Sequence, residues 1–250
     1  MGESINKAGN IQETMAKIRM HSELYAVISV CTHMPFVYCD PNSYDDEIFL
    51  YFDKNDAKKG TKRLLEEKNP IQIVQIDVPS RLAFFTSLFS MGVNAICVNF
   101  GLESEISFQL DQLIRRQSPD QMPKDQIRVE NPELHLTALY FAQEFKKNAE
   151  YKDVLSEELR ELNEEMIAHF RRGTYIVAVD EGNKLPILQK GGVPYQPLFT
   201  DIWEFQKFNP KKKFGAMVVP FGDIKDKLSK ETQGVVINPF GADIILKITN

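Results

Sequence analysis

At 250 residues, with 43% hydrophobic and 26% charged side chains, the chain has the make-up of a folded protein of one large or two small domains, which excludes disordered and fibrous classes. Thirty basic residues against 35 acidic ones leave a net charge of −5, so neither nucleic acid nor an anionic membrane is an expected partner. Three cysteines, no apolar run near the ~20 residues of a membrane span and no signal-like segment within Met1–Arg19 predict a reduced, cytoplasmic protein.

In chain order, Ile11, Met15 and Ile18 stand at helical spacing, and Leu24–Cys31 reads as a strand. Met34–Cys39 and Ile48–Phe52 are further strand candidates, rich in aromatic and β-branched residues. Asp53 is placed to cap a polar helix over Asn55–Glu67, which stops before Asn69-Pro70. Ile71–Ile76 alternates as a strand does, Pro79 opens a helix that Gly92 ends, and Ala95–Val98 reads as a buried strand. Ile106, Phe108 and Leu110 alternate once more.

Residues 118–153 differ in character and read as a helical connector. Leu134, Ala138, Phe141 and Phe145 define one amphipathic helix; Leu155, Leu159, Leu162, Met166 and Phe170 define a second. Strands and helices then alternate again: Tyr175–Val179, Pro186–Leu188, Pro197–Thr200, a helix from Asp201, Ala216–Val219, a helix capped by Asp223, Val235–Ile237 and Ile244–Ile248.

Residues 11–117 and 154–250 therefore read as two copies of one module. Tyr25-Ala26-Val27 stands against Tyr175-Ile176-Val177, and Tyr51-Phe52-Asp53 against Phe199-Thr200-Asp201. Val98-Asn99-Phe100-Gly101 stands against Ile237-Asn238-Pro239-Phe240-Gly241. The expected fold is α/β: two similar modules, each a mixed sheet with packed helices, joined by the amphipathic segment. Helical crossovers predict a parallel core, with the last strand added antiparallel after a tight turn.

The run Val236-Ile237-Asn238-Pro239-Phe240-Gly241, preceded by Pro197-Leu198-Phe199-Thr200-Asp201, resembles the N-terminal domain of the SseB family, named for enhanced serine sensitivity and distinct from the secretion-system protein of that name. The likeness covers residues 155–250, and more loosely 12–110, where the turn lacks the proline and Phe52 stands opposite Thr200. It implies two tandem domains of that type. It implies no catalytic residue, because the family's name records a growth phenotype rather than a reaction.

The residues themselves point to strand-end chemistry. Asn238, Pro239 and Phe240, with Phe199, Thr200 and Asp201, end two strands expected to be parallel, where open α/β sheets bind ligands. The plain structural reading makes Asn238 a partner for turn backbone groups, gives Gly241 the positive φ, and makes Thr200 or Asp201 a helix cap. Cys31, His33 and Cys39 match no zinc spacing, no serine sits in a nucleophile elbow, and Gly60-Thr61-Lys62 lacks the upstream glycines of a phosphate loop. No metal, cofactor or catalytic residue is therefore expected. Gly191-Gly192 reads as a hairpin turn, and Lys207 with Lys211–Lys213 as a solvated loop. The apolar helix Leu82–Phe89 reads as buried between sheet and second module, or else as a contact between copies in a homo-oligomer. The expected function is non-enzymatic binding of a protein or a small ligand at the strand ends. The alternative is an enzyme acting on a small metabolite related to serine metabolism, which needs ionisable groups converging in a pocket; Asp201 and Asp223, with the polar Asn238, are the candidates.

Overall fold

The computed structural model describes residues 2–116, 127–147, 156–182, 184–229 and 231–247, with side chains from residue 10 onward. The connector stretches 117–126 and 148–155, including Leu155, lie outside the described residues. The chain forms two compact units, one of Met1–Val30, Met34–Phe89 and Val93–Gln117, the other of Cys31–His33, Ser90–Gly92 and Ser118–Asn250.

The first unit begins with helix α1 (Gly2–Met20), which buries Met15 and Ile18. Strands β1 (Tyr25–Ser29), β2 (Tyr38–Cys39) and β3 (Asp46–Tyr51) follow. β2 is shorter than Met34–Cys39 predicts, because Pro35 makes only an isolated bridge to Ile28. The polar helix is split into α2 (Lys54–Gly60) and α3 (Lys62–Glu66). The break falls where the backbone meets the next turn: a Cβ on Gly60 would collide with the Phe100 carbonyl oxygen. Strand β4 (Ile71–Gln75), helix α4 (Arg81–Ser90), strands β5 (Ala95–Val98) and β6 (Ile106–Gln109) and the short α5 (Leu110–Leu113) complete the unit. The Arg81 guanidinium donates to the carbonyls of Ile18 and Ser22 at 3.0 and 3.2 Å, tying the start of α4 to the end of α1. Leu82 on α4 is largely exposed, whereas Phe85 and Leu88 are buried. The core gathers Tyr25, Val27, Phe36, Phe49, Tyr51, Cys97 and Phe100, with Phe49 stacked on Phe100.

The second unit contains α6 (Pro132–Lys147) and α7 (Glu157–Phe170), the latter capped by the Ser156 hydroxyl. On α6 the residues Leu134, Ala138 and Leu139 are buried and Phe145 is exposed, so the apolar face is shifted from the predicted Phe141–Phe145 edge. Then come β7 (Thr174–Val179), β8 (Leu188–Lys190), β9 (Val193–Phe199), α8 (Ile202–Phe208), β10 (Gly215–Pro220), α9 (Phe221–Lys227), β11 (Gly234–Ile237) and β12 (Ile244–Lys247). Gly191 and Gly192, both at positive φ, turn the β8–β9 hairpin. Pro220, not Asp223, occupies the cap position of α9; Asp223 is an exposed first-turn residue.

The two sheets share one topology. The first runs β4-β1-β3-β5-β6 with β2 beside β3, the second β10-β7-β9-β11-β12 with β8 beside β9. The predicted parallel core needs correction: in each sheet only one adjacent pair is parallel, β3·β5 and β9·β11. The helical crossovers do join parallel strands, but β1, antiparallel to both neighbours, is wedged between β3 and β4, as β7 is between β9 and β10. The registers also correct the alignment of the first strands by one residue. Tyr25 faces Tyr51 and Ile176 faces Phe199, so Tyr25 matches Ile176 and not Tyr175. At the other end the copies align as predicted: Leu50 sits beside Val98, and Leu198 beside Ile237.

Candidate functional site

Each parallel pair ends in an asparagine at positive φ, Asn99 at 58° and Asn238 at 48°. Each asparagine N–H donates across to the neighbouring strand, Asn99 to Leu50 O at 2.8 Å and Asn238 to Leu198 O at 2.9 Å. Asparagine tolerates this left-handed backbone better than most residues do. The positive φ thus falls on Asn238, and glycine at 241 serves another end: a Cβ there would lie 2.7 Å from Glu204 Oε2.

In the second unit the strand ends are sealed by a buried polar network. The Asn238 side chain reaches sideways rather than into its own turn. Its Oδ1 accepts the Thr200 N–H at 3.0 Å, and its Nδ2 donates to Thr200 Oγ1 at 2.8 Å. The Thr200 hydroxyl donates in turn to Asp201 Oδ2 at 2.8 Å, while Asp201 Oδ1 caps α8 through the N–H groups of Trp203 and Glu204. From α6 and the residue before it come two side chains that sequence reasoning missed. His135 Nδ1 lies 3.2 Å from Asp201 Oδ2. The Asn131 amide donates to the carbonyls of Thr200 and Thr174 at 2.8 and 2.7 Å. Glu204 Oε1 lies 3.6 Å from His135 Nε2 and accepts from Lys207 Nζ at 2.5 Å. Burial by itself would raise the Asp201 carboxyl, but the bonds from His135, Thr200 and the Glu204 N–H outweigh it and hold the group below the usual carboxylate range. The signal that could have found His135 is its place on α6 between Leu134 and Ala138, both buried with it.

Of the six predicted site residues, five are buried: Phe199, Thr200, Asp201, Asn238 and Pro239. Phe240 alone is exposed, at 55%, with its ring 6.2 Å from that of Phe208. The structure brings Thr200, Asp201 and Asn238 into direct contact, and leaves Asp223 out of their network among the described residues. Cys31 lies in a turn, half-buried; Cys39 is exposed at the β2 edge; Cys97 is buried. Among the described residues no group of three His, Cys, Asp or Glu side chains is arranged to hold a metal ion, and no helix is long and apolar enough to cross a membrane.

The matching strand ends of the first unit are different. Phe52 stands where Thr200 does, and the Asn99 amide bonds Ser104 Oγ at 3.0 Å instead of the neighbouring strand end. Beside them is an open cleft of about 340 Å³ between α1, Phe52 and the β5–β6 turn. Its walls carry Glu13, Thr14 and Lys17 from α1 with Asn99, Glu103 and Glu105 from the turn. Lys17 Nζ sits 4.1 Å from the Phe52 ring centre, and Glu105 Oε2 accepts the Gly101 N–H at 2.6 Å. A second hollow, of about 400 Å³, lies at the start of α6, but its Asn131 is already engaged with Thr174 and Thr200.

The chain matches no protein-family model. No curated protein matches it either. Two solved structures are similar to it at a low level. Tic22 from Plasmodium falciparum is 13% identical, with 87% of this chain and 86% of that one covered and a TM-score of 0.23. Anabaena Tic22, a protein-transport protein, is 10% identical over the same shares, with a TM-score of 0.22. Similarity this slight carries neither fold nor function, and the site rests on its own geometry.

Proposed function

We propose that the chain is a non-enzymatic, SseB-type tandem protein whose first module binds a small ligand at the ends of β3 and β5. One observation carries this. Of two strand ends with the same topology, one is filled by the chain's own Asn131 and His135, and the other opens into a cleft of ligand size. An enzymatic reading has less support, because the shifted carboxyl at the strand ends, Asp201, is fully buried in a network of internal partners. A second reading, protein contact through Phe240, is favoured by the exposure of that ring.

A thermal-shift screen of small polar metabolites tests the cleft. A ligand that raises the melting temperature of the parent chain should fail to do so with Thr14→Trp, which fills the cleft from its α1 wall. Equal shifts in parent and variant would place binding elsewhere and end the proposal.

A further inference from the structure

The chemistry of the cleft says more than its presence, on the premise that the cleft is a binding site. We infer that it selects a small organic cation bearing an ammonium, amidinium or guanidinium group. Three carboxylates, Glu13, Glu103 and Glu105, face one lysine across about 340 Å³. Lys17 lies on the Phe52 ring, and Glu105 holds the β5–β6 turn through Gly101, so Glu13 and Glu103 are the carboxylates that neither contact engages. A carboxylate accepts only, so a partner must bring N–H donors and positive charge. Asn99 adds an amide oxygen beside them.

The second module supplies an independent indication. There the same strand end is already occupied, and the occupants show what it accepts. Asn131 Nδ2 donates to the carbonyls of Thr200 and Thr174, its Oδ1 accepts the Thr174 N–H, and the His135 imidazole lies against Asp201. Thr200 corresponds in register to Phe52, which lines the open cleft. The acceptors of this edge, the Thr200 carbonyl and the Asp201 carboxylate, are therefore met by nitrogen groups where it is filled from within, and the first module presents the edge with added negative charge.

Calorimetric titration of the full chain with agmatine and putrescine at low salt, with succinate as the anionic control, tests this. Agmatine or putrescine should bind, and binding should weaken as salt is raised. Glu13→Gln with Glu103→Gln should weaken it about tenfold or more, as expected for losing charge-assisted contacts. Both residues are exposed, and an unchanged melting temperature checks that the double variant is folded. Succinate binding where the cations do not, lost on Thr14→Trp, would overturn the cation assignment and leave the cleft as a binding site. Cation binding that the double variant leaves unchanged would overturn the assignment too. No heat from either cation at millimolar concentration would equally overturn it, while the metabolite screen decides the cleft separately.

Discussion

Asn238 and Phe240 stand two residues apart and do opposite work. Asn238 is fully buried and spends both ends of its amide on Thr200. Asn238→Ala strands the buried Thr200 N–H and removes a donor from the Thr200 hydroxyl, and should cost about 1–3 kcal/mol. Phe240→Ala removes a half-exposed ring and should shift stability by no more than about 0.5 kcal/mol. Urea transitions read at Trp203, the sole tryptophan, measure both. A loss near 3 kcal/mol for Phe240→Ala, typical of a truncated core phenylalanine, would show that ring to be structural. Glu47 on β3 gives a pH signature. Burial pushes its carboxyl up to about 7, helped by Asp40, Asp45 and Glu105 and partly opposed by a bond to Ser107. A carboxyl raised in the folded state favours that state while protonated. Its contribution is whole below its ordinary value of 4.5 and is lost as the pH climbs through about 7. Glu47→Gln should therefore melt higher than the parent at pH 8 and alike at pH 5; equal melting at pH 8 would refute the assignment.

Helices α2 and α8 start alike, each capped by an aspartate at the end of a strand. Asp53 accepts the N–H groups of Asn55 and Asp56, and Asp201 those of Trp203 and Glu204. Asp53 makes a cap and little else, so Asp53→Ala should cost about 1 kcal/mol. Asp201 also holds Thr200 and His135, so Asp201→Ala should cost about 3 kcal/mol or more, as for breaking a buried charged network. Paired denaturant melts decide; equal losses would mean the network adds nothing to the cap. Both caps were legible in sequence, because capping is a local interaction over three residues. The partner of Asn238 was not, since Thr200 lies 38 positions away and its contact depends on which strands are neighbours. Strand direction was legible and strand adjacency was not. A crossover helix fixes that two strands run the same way, but nothing local says that β1 or β7 will lie between them. The one-residue slip at Tyr25 arose because aromatic and β-branched residues fill both faces of β1 and β7, so alternation gives no purchase on register.

The likeness of the two sheets was readable in the sequence because it recurs as an order of elements, which does not depend on the same side chains being present. The difference between the two strand ends was hidden, since it turns on Asn131 and His135 being delivered to one of them. Two sheets of one topology on a single chain also carry a hazard during folding. Backbone ladders do not distinguish copies, so β3 could add beside β11 and form a swapped sheet, a known failure of repeated domains. Side chains do distinguish them. In such a swap Phe52 would lie next to Asn238 and offer no hydroxyl to its buried amide, leaving a polar group stranded at a cost of about 1–3 kcal/mol. The difference between Phe52 and Thr200 is expected to disfavour the swapped pairing. Phe52→Thr restores the missing hydroxyl and should lower the yield of native protein on dilution from denaturant, with the shortfall recovered as trapped or aggregated chains. A yield equal to the parent's would show that the copies are kept apart by something other than this pair.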